Sequence, residues 1–419
     1  MNQKELTMGA DVATPGTTTA SRSEEVLRKL LIKVLQHASE GHFLLRERGR
    51  VIAEIGDRES PLQAEANVLD TRVYKRVLLG GNAAAGEAYT DGWWTSPDIS
   101  EVTRFFARNL SMMDYWDSRF GWLFQPLQWM RMLKRRNSKQ QAKRNILAHY
   151  DLGNDLYTRF LDPRLQYSSA LYESPQQSLQ QAQESKLRRI CEKLELNADD
   201  HLLEVGSGWG GLAIYAASNY GCRVTTTTIS DAQYVYAQAA IAEAGLNDRI
   251  TLLNRDYRLL EGQYDKLVSV EMIEAVGRSF LSGYFEKLNE LIKPGGKLML
   301  QAITIADQRL KAYGRSEDFI QRHIFPGGYL PSLQLISQLM ARKTDFVIRN
   351  VRDMGLDYAR TLADWHNAFL ANWNELESLG YDQRFRNLWE YYLGYCEGGF
   401  RERRISAVQL LATKAPHAL

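Results

Sequence analysis

Cysteine is scarce in this sequence: Cys191, Cys222 and Cys396 are far apart, odd in number and form no CxxC pair. Such a set builds no disulfide framework and fits a reducing compartment. Histidine and cysteine are too scattered for a zinc-binding spacing, so no metal is expected. No run of about eighteen apolar residues occurs, so no membrane-spanning segment is expected. Charge is balanced as well; a formal net charge of +2 identifies no partner, and no nucleic acid is expected. Residues 1–22 are polar and lack the apolar centre of a secretory signal. They read as a disordered tail, and the chain as cytoplasmic.

Apolar residues make up 44% and charged residues 24% of a 419-residue chain, a folded protein long enough for two domains. Residues 23–37 carry apolar positions at helical spacing. The stretch "GHFLLRERGRVIAEIGD" alternates like a hairpin with Arg48-Gly49 at its tip. "GEAYTDGWWTSPDISEVTRFFARNL" then gives a Gly- and Trp-rich turn and a helix capped by Ser96 or Asp98. Residues 23–133 thus read as a small α+β domain. An aromatic segment at 115–130 leads into a stretch, 131–144, dense in Lys and Arg and free of acids; the linker is placed at 134–145. From 146 to 419 apolar strands ("HLLEVG", "CRVTTTTI", "ITLLNRDY", "YDKLVSVEM", "KLMLQAITI") alternate with helix-length segments. That alternation predicts an α/β domain with an open, mostly parallel, Rossmann-like sheet, whose ligands bind at the carboxyl ends of the strands.

The first of those strands runs into Gly206-Ser207-Gly208-Trp209-Gly210-Gly211. Glycines there let backbone approach a ligand, and the following helix offers unpaired N–H groups. A dinucleotide would need an acid about twenty residues on, at the end of the second strand. That strand ends "TTTTIS", without one. Glu204, two residues before the first glycine, instead gives the strand-end carboxylate and glycine loop usual for S-adenosylmethionine in class I methyltransferases. A tight turn with no ligand is the plain alternative.

Further blocks resemble the cyclopropane fatty acid synthases, which include the mycolic acid cyclopropane synthases. They are "GEAYTDGWW", "HYDLGNDLYTRFLDPRLQYSSALYE", "LLEVGSGWGGLAIYAA", "DYRLLEGQYDKLVSVEMIEAVG", "FIQRHIFPGGYLPS", "YARTLADWHNAF" and "WEYYLGYCEGGFRER". The resemblance implies a cofactor site at Tyr167 and Ser168, at Glu204 with Gly206, Ser207 and Gly208, at Thr228 and Gln233, and at Tyr257 and Arg258. It also implies an N-terminal domain that engages lipid. Tyr257 has a plain alternative as a core aromatic.

The implied reaction adds a methyl group to the cis double bond of an unsaturated phospholipid acyl chain. A base then takes a proton from that methyl so that a cyclopropane closes. The family holds a bicarbonate with Glu, His, Tyr, Ile and Cys positions. Here Glu274, Tyr358 and Ile303 match, whereas Ser169 replaces the Cys and Gln301 the His. Gln301 cannot carry charge or shuttle a proton, which makes Glu274 the expected base, with Tyr358 as its hydrogen-bonding neighbour. Cys396 matches a C-terminal cysteine of the family. A differently placed base would give a methyl- or methylene-branched chain, the main rival product. An inactive lipid-binding protein and an amine methyltransferase are rivals of other classes. The basic stretch suggests peripheral attachment at the inner membrane surface; a homodimer is a further expectation.

Overall fold

The computed structural model describes residues 22–110, 112, 153–314 and 317–417. Residues 1–21 of the expected tail, the aromatic segment 115–130 and the basic linker 134–145 lie outside the described residues; Arg22, assigned to the tail, begins a helix.

The chain opens with the helix Arg22–Leu35 and then β1 (His42–Glu47) and β2 (Arg50–Gly56). These pair antiparallel across a turn in which Arg48 and Gly49 both take positive φ, 49° and 80°. That is the backbone twist a two-residue hairpin favours. β3 (Gln63–Val68) lies parallel to β1, and β4 (Trp94–Thr95) closes a four-stranded sheet of order β2-β1-β3-β4. Two helices cover it. Arg72–Thr90 is broken at Gly81, and Ile99–Arg108 is capped by the Asp98 carboxylate, which accepts from the N–H groups of Ser100 and Glu101.

The second sheet has seven strands. β5 (His201–Val205), β6 (Arg223–Thr228), β7 (Ile250–Asn254), β8 (Tyr264–Val270) and β9 (Ile292–Ile305) run parallel, as their apolar and alternating patterns predict. β10 (Phe346–Asp353) and β11 (Ile405–Lys414) add an antiparallel edge, in the order β10-β11-β9-β8-β5-β6-β7. The helices Leu179–Leu194, Gly211–Tyr220 and Asp231–Glu243 flank the β5–β7 half. Glycines and a positive-φ Glu271 mark where strands turn over into the site.

Two hydrophobic cores belong to the seven-stranded sheet and its helices, and a third core joins the two sheets. It runs from Phe43 and Phe105 through Phe319 and Trp389 to Tyr358 and Phe400. The long helix Gln383–Arg401 packs against Ile99–Arg108 so closely that a Cβ on Gly394 would lie 2.7 Å from Ile99 Cβ. Phe105, Phe319, Trp389 and Phe400 are almost fully buried, and each such side chain stabilises the junction by roughly 1.5–3 kcal/mol.

Candidate functional site

At the end of β5, Gly206, Gly208 and Gly210 take φ of 99°, 49° and 91°, a region costly for L side chains. The loop is fixed by Gly206 and Ser207 N–H groups donating to the Thr227 carbonyl on β6, at 3.2 and 2.8 Å. Trp209 anchors it further, its Nε1 donating to Asn154 Oδ1 at 2.8 Å. A Cβ added to Gly208 would meet nothing within 4 Å, so this backbone faces open space. Glu204 stands behind the loop, fully buried, accepting from Thr226 Oγ1 at 2.6 Å. Burial pushes its carboxyl up to about 8. At the end of β6, Thr228 Oγ1 donates to Gln233 Oε1 at 2.8 Å, which leaves the Gln233 amide nitrogen as the donor of the pair. Beyond β7, Arg258 is paired with Asp256, and Tyr257 packs edge-on against Tyr284 at 5.5 Å. Burial pushes the Tyr257 phenol up to about 12.

Tyr167 and Ser168 approach from the other side. Tyr167 Oη shares a 2.9 Å hydrogen bond with Tyr392 Oη, and its ring packs against Trp365. Ser168 Oγ accepts at 2.8 Å from Nζ of Lys186, which also donates to Gln166 Oε1 at 2.9 Å. Lys186 is wholly buried, and burial pulls its amine down to about 8 against the opposing charges of Asp162, Glu271 and Glu204.

Two carboxylates follow the end of β8 and accept hydrogen bonds from residues of β9. Glu271 turns off β8 with φ 49°, strain of about 1–3 kcal/mol in a side-chain-bearing residue. Its Oε1 accepts from Ser169 N–H at 2.9 Å and Gln301 Nε2 at 2.8 Å; its Oε2 accepts from Tyr358 Oη at 2.8 Å. Burial raises its carboxyl, and the three donors pull it back in part. The Gln301 amide is itself oriented, because Gln409 Nε2 donates to Gln301 Oε1 at 3.0 Å and Arg189 Nε to Gln409 Oε1 at 3.0 Å. Glu274 has one oxygen on the Ile303 N–H, while Oε2 is buried and has no partner among the described residues. Burial, then the charge of Glu271, pushes Glu274 up to about 8. Both carboxylates, with Tyr167, Ile303, Tyr358 and Cys396, line a cavity of about 870 Å³.

The sequence profile of the mycolic acid cyclopropane synthetase family matches residues 137–410. The chain is 37% identical over 359 residues to the cyclopropane-fatty-acyl-phospholipid synthase of Escherichia coli, covering 84% of this chain and 88% of that one. The chain belongs to the mycolic acid cyclopropane synthetase family. It is 36% identical over 349 residues to the tuberculostearic acid methyltransferase UfaA1 of Mycobacterium tuberculosis, covering 80% and 79% of the two chains. Among solved structures, the cyclopropane synthase MmaA2 from M. tuberculosis matches with TM-score 0.60 and 28% identity over 65% of this chain and 98% of that one. The mycolic acid cyclopropane synthase CmaA1, complexed with SAH and CTAB, matches to the same extent.

The protein is therefore an S-adenosylmethionine-dependent methyltransferase of the cyclopropane-forming family. Its own residues fit that cofactor: a bare glycine backbone facing open space and a neutral Thr228–Gln233 clasp where a dinucleotide site would carry an acid. The structure gathers the expected Ser169, Gln301 and Tyr358 around one point, but that point is Glu271. Tyr358 was expected beside Glu274; its hydroxyl goes to Glu271 instead, because the strand-end turn brings that carboxylate up to the phenol. Gln301 likewise spends its amide on Glu271 and the Ser169 carbonyl. Glu274 forms no structural ion pair among the described residues; its one bonded oxygen goes to the Ile303 backbone. Cys396 is on the cavity wall, its thiol held protonated by burial. Glu271 and Lys186 were missed. The signal for Glu271 was there, as "VSVEMIE" sets two acids three apart where an apolar strand ends. Lys186 lies in a helix whose neighbours are mostly polar, and nothing local marks it as the buried one.

Proposed function

We propose that the protein methylates the cis double bond of unsaturated acyl chains in membrane phospholipids and closes a cyclopropane ring. The observation that carries this reading is Glu274, whose buried Oε2 has no hydrogen-bond partner among the described residues and whose side chain lines a large, mainly apolar cavity. When bound, S-adenosylmethionine supplies an electrophilic methyl group. Tyr167, Ser168, the Gly206–Gly208 loop, Thr228 and Gln233 hold the cofactor on one side, with Tyr257 and Arg258 closing the far rim. The cavity holds the alkene in line on the other, where alignment matters because an isolated alkene is a weak nucleophile. Methyl transfer leaves a carbocation on the acyl chain. Glu274 Oε2 accepts a proton from the new methyl, and the released electron pair forms the third side of the ring. The aromatic faces of Tyr167 and Tyr358 and the charge of Glu271 stabilise the cation meanwhile. Both oxygens of Glu271 are already acceptors from Ser169, Gln301 and Tyr358. We place Glu271 where the family's bicarbonate would bind, so the protein supplies its own anion.

The same cluster favours a second reading. A cation held by a fixed carboxylate lives longer, and a hydride shift then moves it to the carbon bearing the methyl. Proton loss from that methyl gives a methylene branch. The similarity to a tuberculostearic acid methyltransferase points the same way. Attachment to an anionic membrane surface through residues 131–144, and assembly as a homodimer, belong to the same proposal. Among the described residues no helix is long and apolar enough to cross a membrane. The test uses purified protein, vesicles of oleoyl phospholipid and methyl-deuterated S-adenosylmethionine, with the chains analysed by mass spectrometry. Both products keep two deuteriums and have the same mass, so deuterium NMR of the labelled chains separates them: ring deuterium supports the first reading, and olefinic deuterium the second. No labelled chain would defeat both.

A further inference from the structure

The cavity that holds Glu271 and Glu274 does not end at the seven-stranded sheet. It continues past Tyr391, Tyr395 and Phe400 into the core of the first sheet, where Val34, Phe43, Val68, Val77, Val102 and Phe106 line it. At about 870 Å³ it lies near the top of the ~300–1,000 Å³ range of small-molecule pockets. Its two halves differ in chemistry. Among the described residues of the N-terminal half no ionisable side chain lines the space; Asn82 and Thr103 are its polar members. The half beside the carboxylates carries Arg309, Glu317, Asp318 and Arg322 as well. Arg404, at the junction, spends its guanidinium on the Ala107 carbonyl.

We propose that the N-terminal half is a sleeve for the methyl-terminal segment of the acyl chain, beyond its double bond. This rests on the acyl-chain reading above and deepens it. The ester and head group need water and counter-charge, so they lie on the side of Arg309 and Arg322. The methyl end needs neither and is accommodated where lining charges are absent. The double bond then rests between the two, at Glu274 and Tyr167. The break in the helix Arg72–Thr90 falls on the sleeve wall, where Gly81 takes φ 60° and ψ −147°. A straight helix would carry the 78–83 segment elsewhere; the break turns it along the cavity. The small domain thereby sets which chains fit, by the length of chain past the reacting bond.

Three phospholipids separate this from its alternatives. Palmitoleoyl and vaccenoyl chains are identical beyond the double bond and differ before it; oleoyl has the palmitoleoyl carboxyl side and two more methylenes beyond. Ala66→Phe and, separately, Val102→Phe fill the sleeve from β3 and from the Ile99–Arg108 helix. Each methylene denied burial weakens capture about fourfold. The kcat/KM ratio of oleoyl to palmitoleoyl is therefore expected to fall about fifteenfold in both variants. The ratio of vaccenoyl to palmitoleoyl is expected to hold. Calorimetric binding of S-adenosylmethionine, at its wild-type value, reports that each variant is folded. Equal movement of both ratios, movement of the vaccenoyl ratio alone, or no movement in the better-folded variant overturns the sleeve. A wild-type protein that modifies none of the three lipids overturns the acyl reading itself, and the sleeve with it.

Discussion

The carboxyl ends of β5 and β6 and those of β8 and β9 are neighbours in one sheet, built on opposite principles. On the first side the groups we assign to the cofactor at these strand ends are neutral: glycine backbone, Thr228 and Gln233, with Ser168 opposite. The acid there, Glu204, is turned back onto Thr226. On the second side stand two half-buried acids, and one keeps a buried carboxylate oxygen with no partner among the described residues. Neutral groups that exchange water for ligand contribute modestly to affinity. A buried carboxylate is costly in the resting site and is offset when positive charge develops beside it. On the reading proposed above, one side binds and the other is arranged for a cation.

The sharpest break between the two sides is Glu274→Gln. A positioned base contributes on the order of 10²–10⁴ in rate, and the amide keeps the shape and can still accept from Ile303 N–H. Turnover should fall by about 10³ or more while calorimetric affinity for S-adenosylmethionine stays at the wild-type value. Loss of both together would mean that the two rims are not separable.

Glu271→Gln comes next and tests the anion. We expect kcat to fall by about 10–100-fold and the ratio of ring to branched product to change, since 1.4 kcal/mol between two exits is about tenfold. The pH profile adds an independent reading. Glu274 acts when ionised and its carboxyl lies at about 8, so activity should rise with pH and level off above that value. The charge of Glu271 is one cause of that elevation. Removing it should move the rising limb to lower pH. A limb that moves upward, or stays put, would show that the two carboxylates do not sense each other.

On the binding side, Thr228→Val and Gln233→Leu each delete a neutral hydrogen-bonding group worth about 0.5–1.5 kcal/mol. The dissociation constant for the cofactor should rise roughly 2–12-fold in each. The product ratio should not change. A shifted ratio would carry the chemistry across to the cofactor rim.

What the sequence made legible follows the same division. The glycine loop and the strand before it are local, and periodicity plus turn chemistry finds them; Thr228 and Gln233 were expected from the family resemblance. The hairpin at Arg48-Gly49 and the Asp98 cap are local too. Glu271 is different, because its role depends on a left-handed turn and on donors from residues 169, 301 and 358. β10 and β11 pair antiparallel across an intervening segment that is mostly helical, a contact no window of sequence contains. The shared core of the two sheets was invisible for that reason, and with it the cavity's extension.

The smallest expected effect tests how far the cation side reaches. Gln409 touches neither carboxylate; it fixes the Gln301 amide so that Nε2 faces Glu271, and is itself held by Arg189. Gln409→Leu removes that restraint and leaves the Gln301 oxygen buried without its donor, at about 1–3 kcal/mol of stability. A fall in melting temperature is therefore expected whatever the chemistry. The informative readout is the ratio of ring to branched product. If Gln301 must point its nitrogen at Glu271, a freed amide weakens that bond by about 1 kcal/mol, and the ratio should move about fivefold, with cofactor affinity unchanged. Restoring a donor with Gln409→Asn should recover part of the ratio. A lowered melting temperature with an unmoved ratio would confine Gln409 to the fold and end the cation side at Gln301.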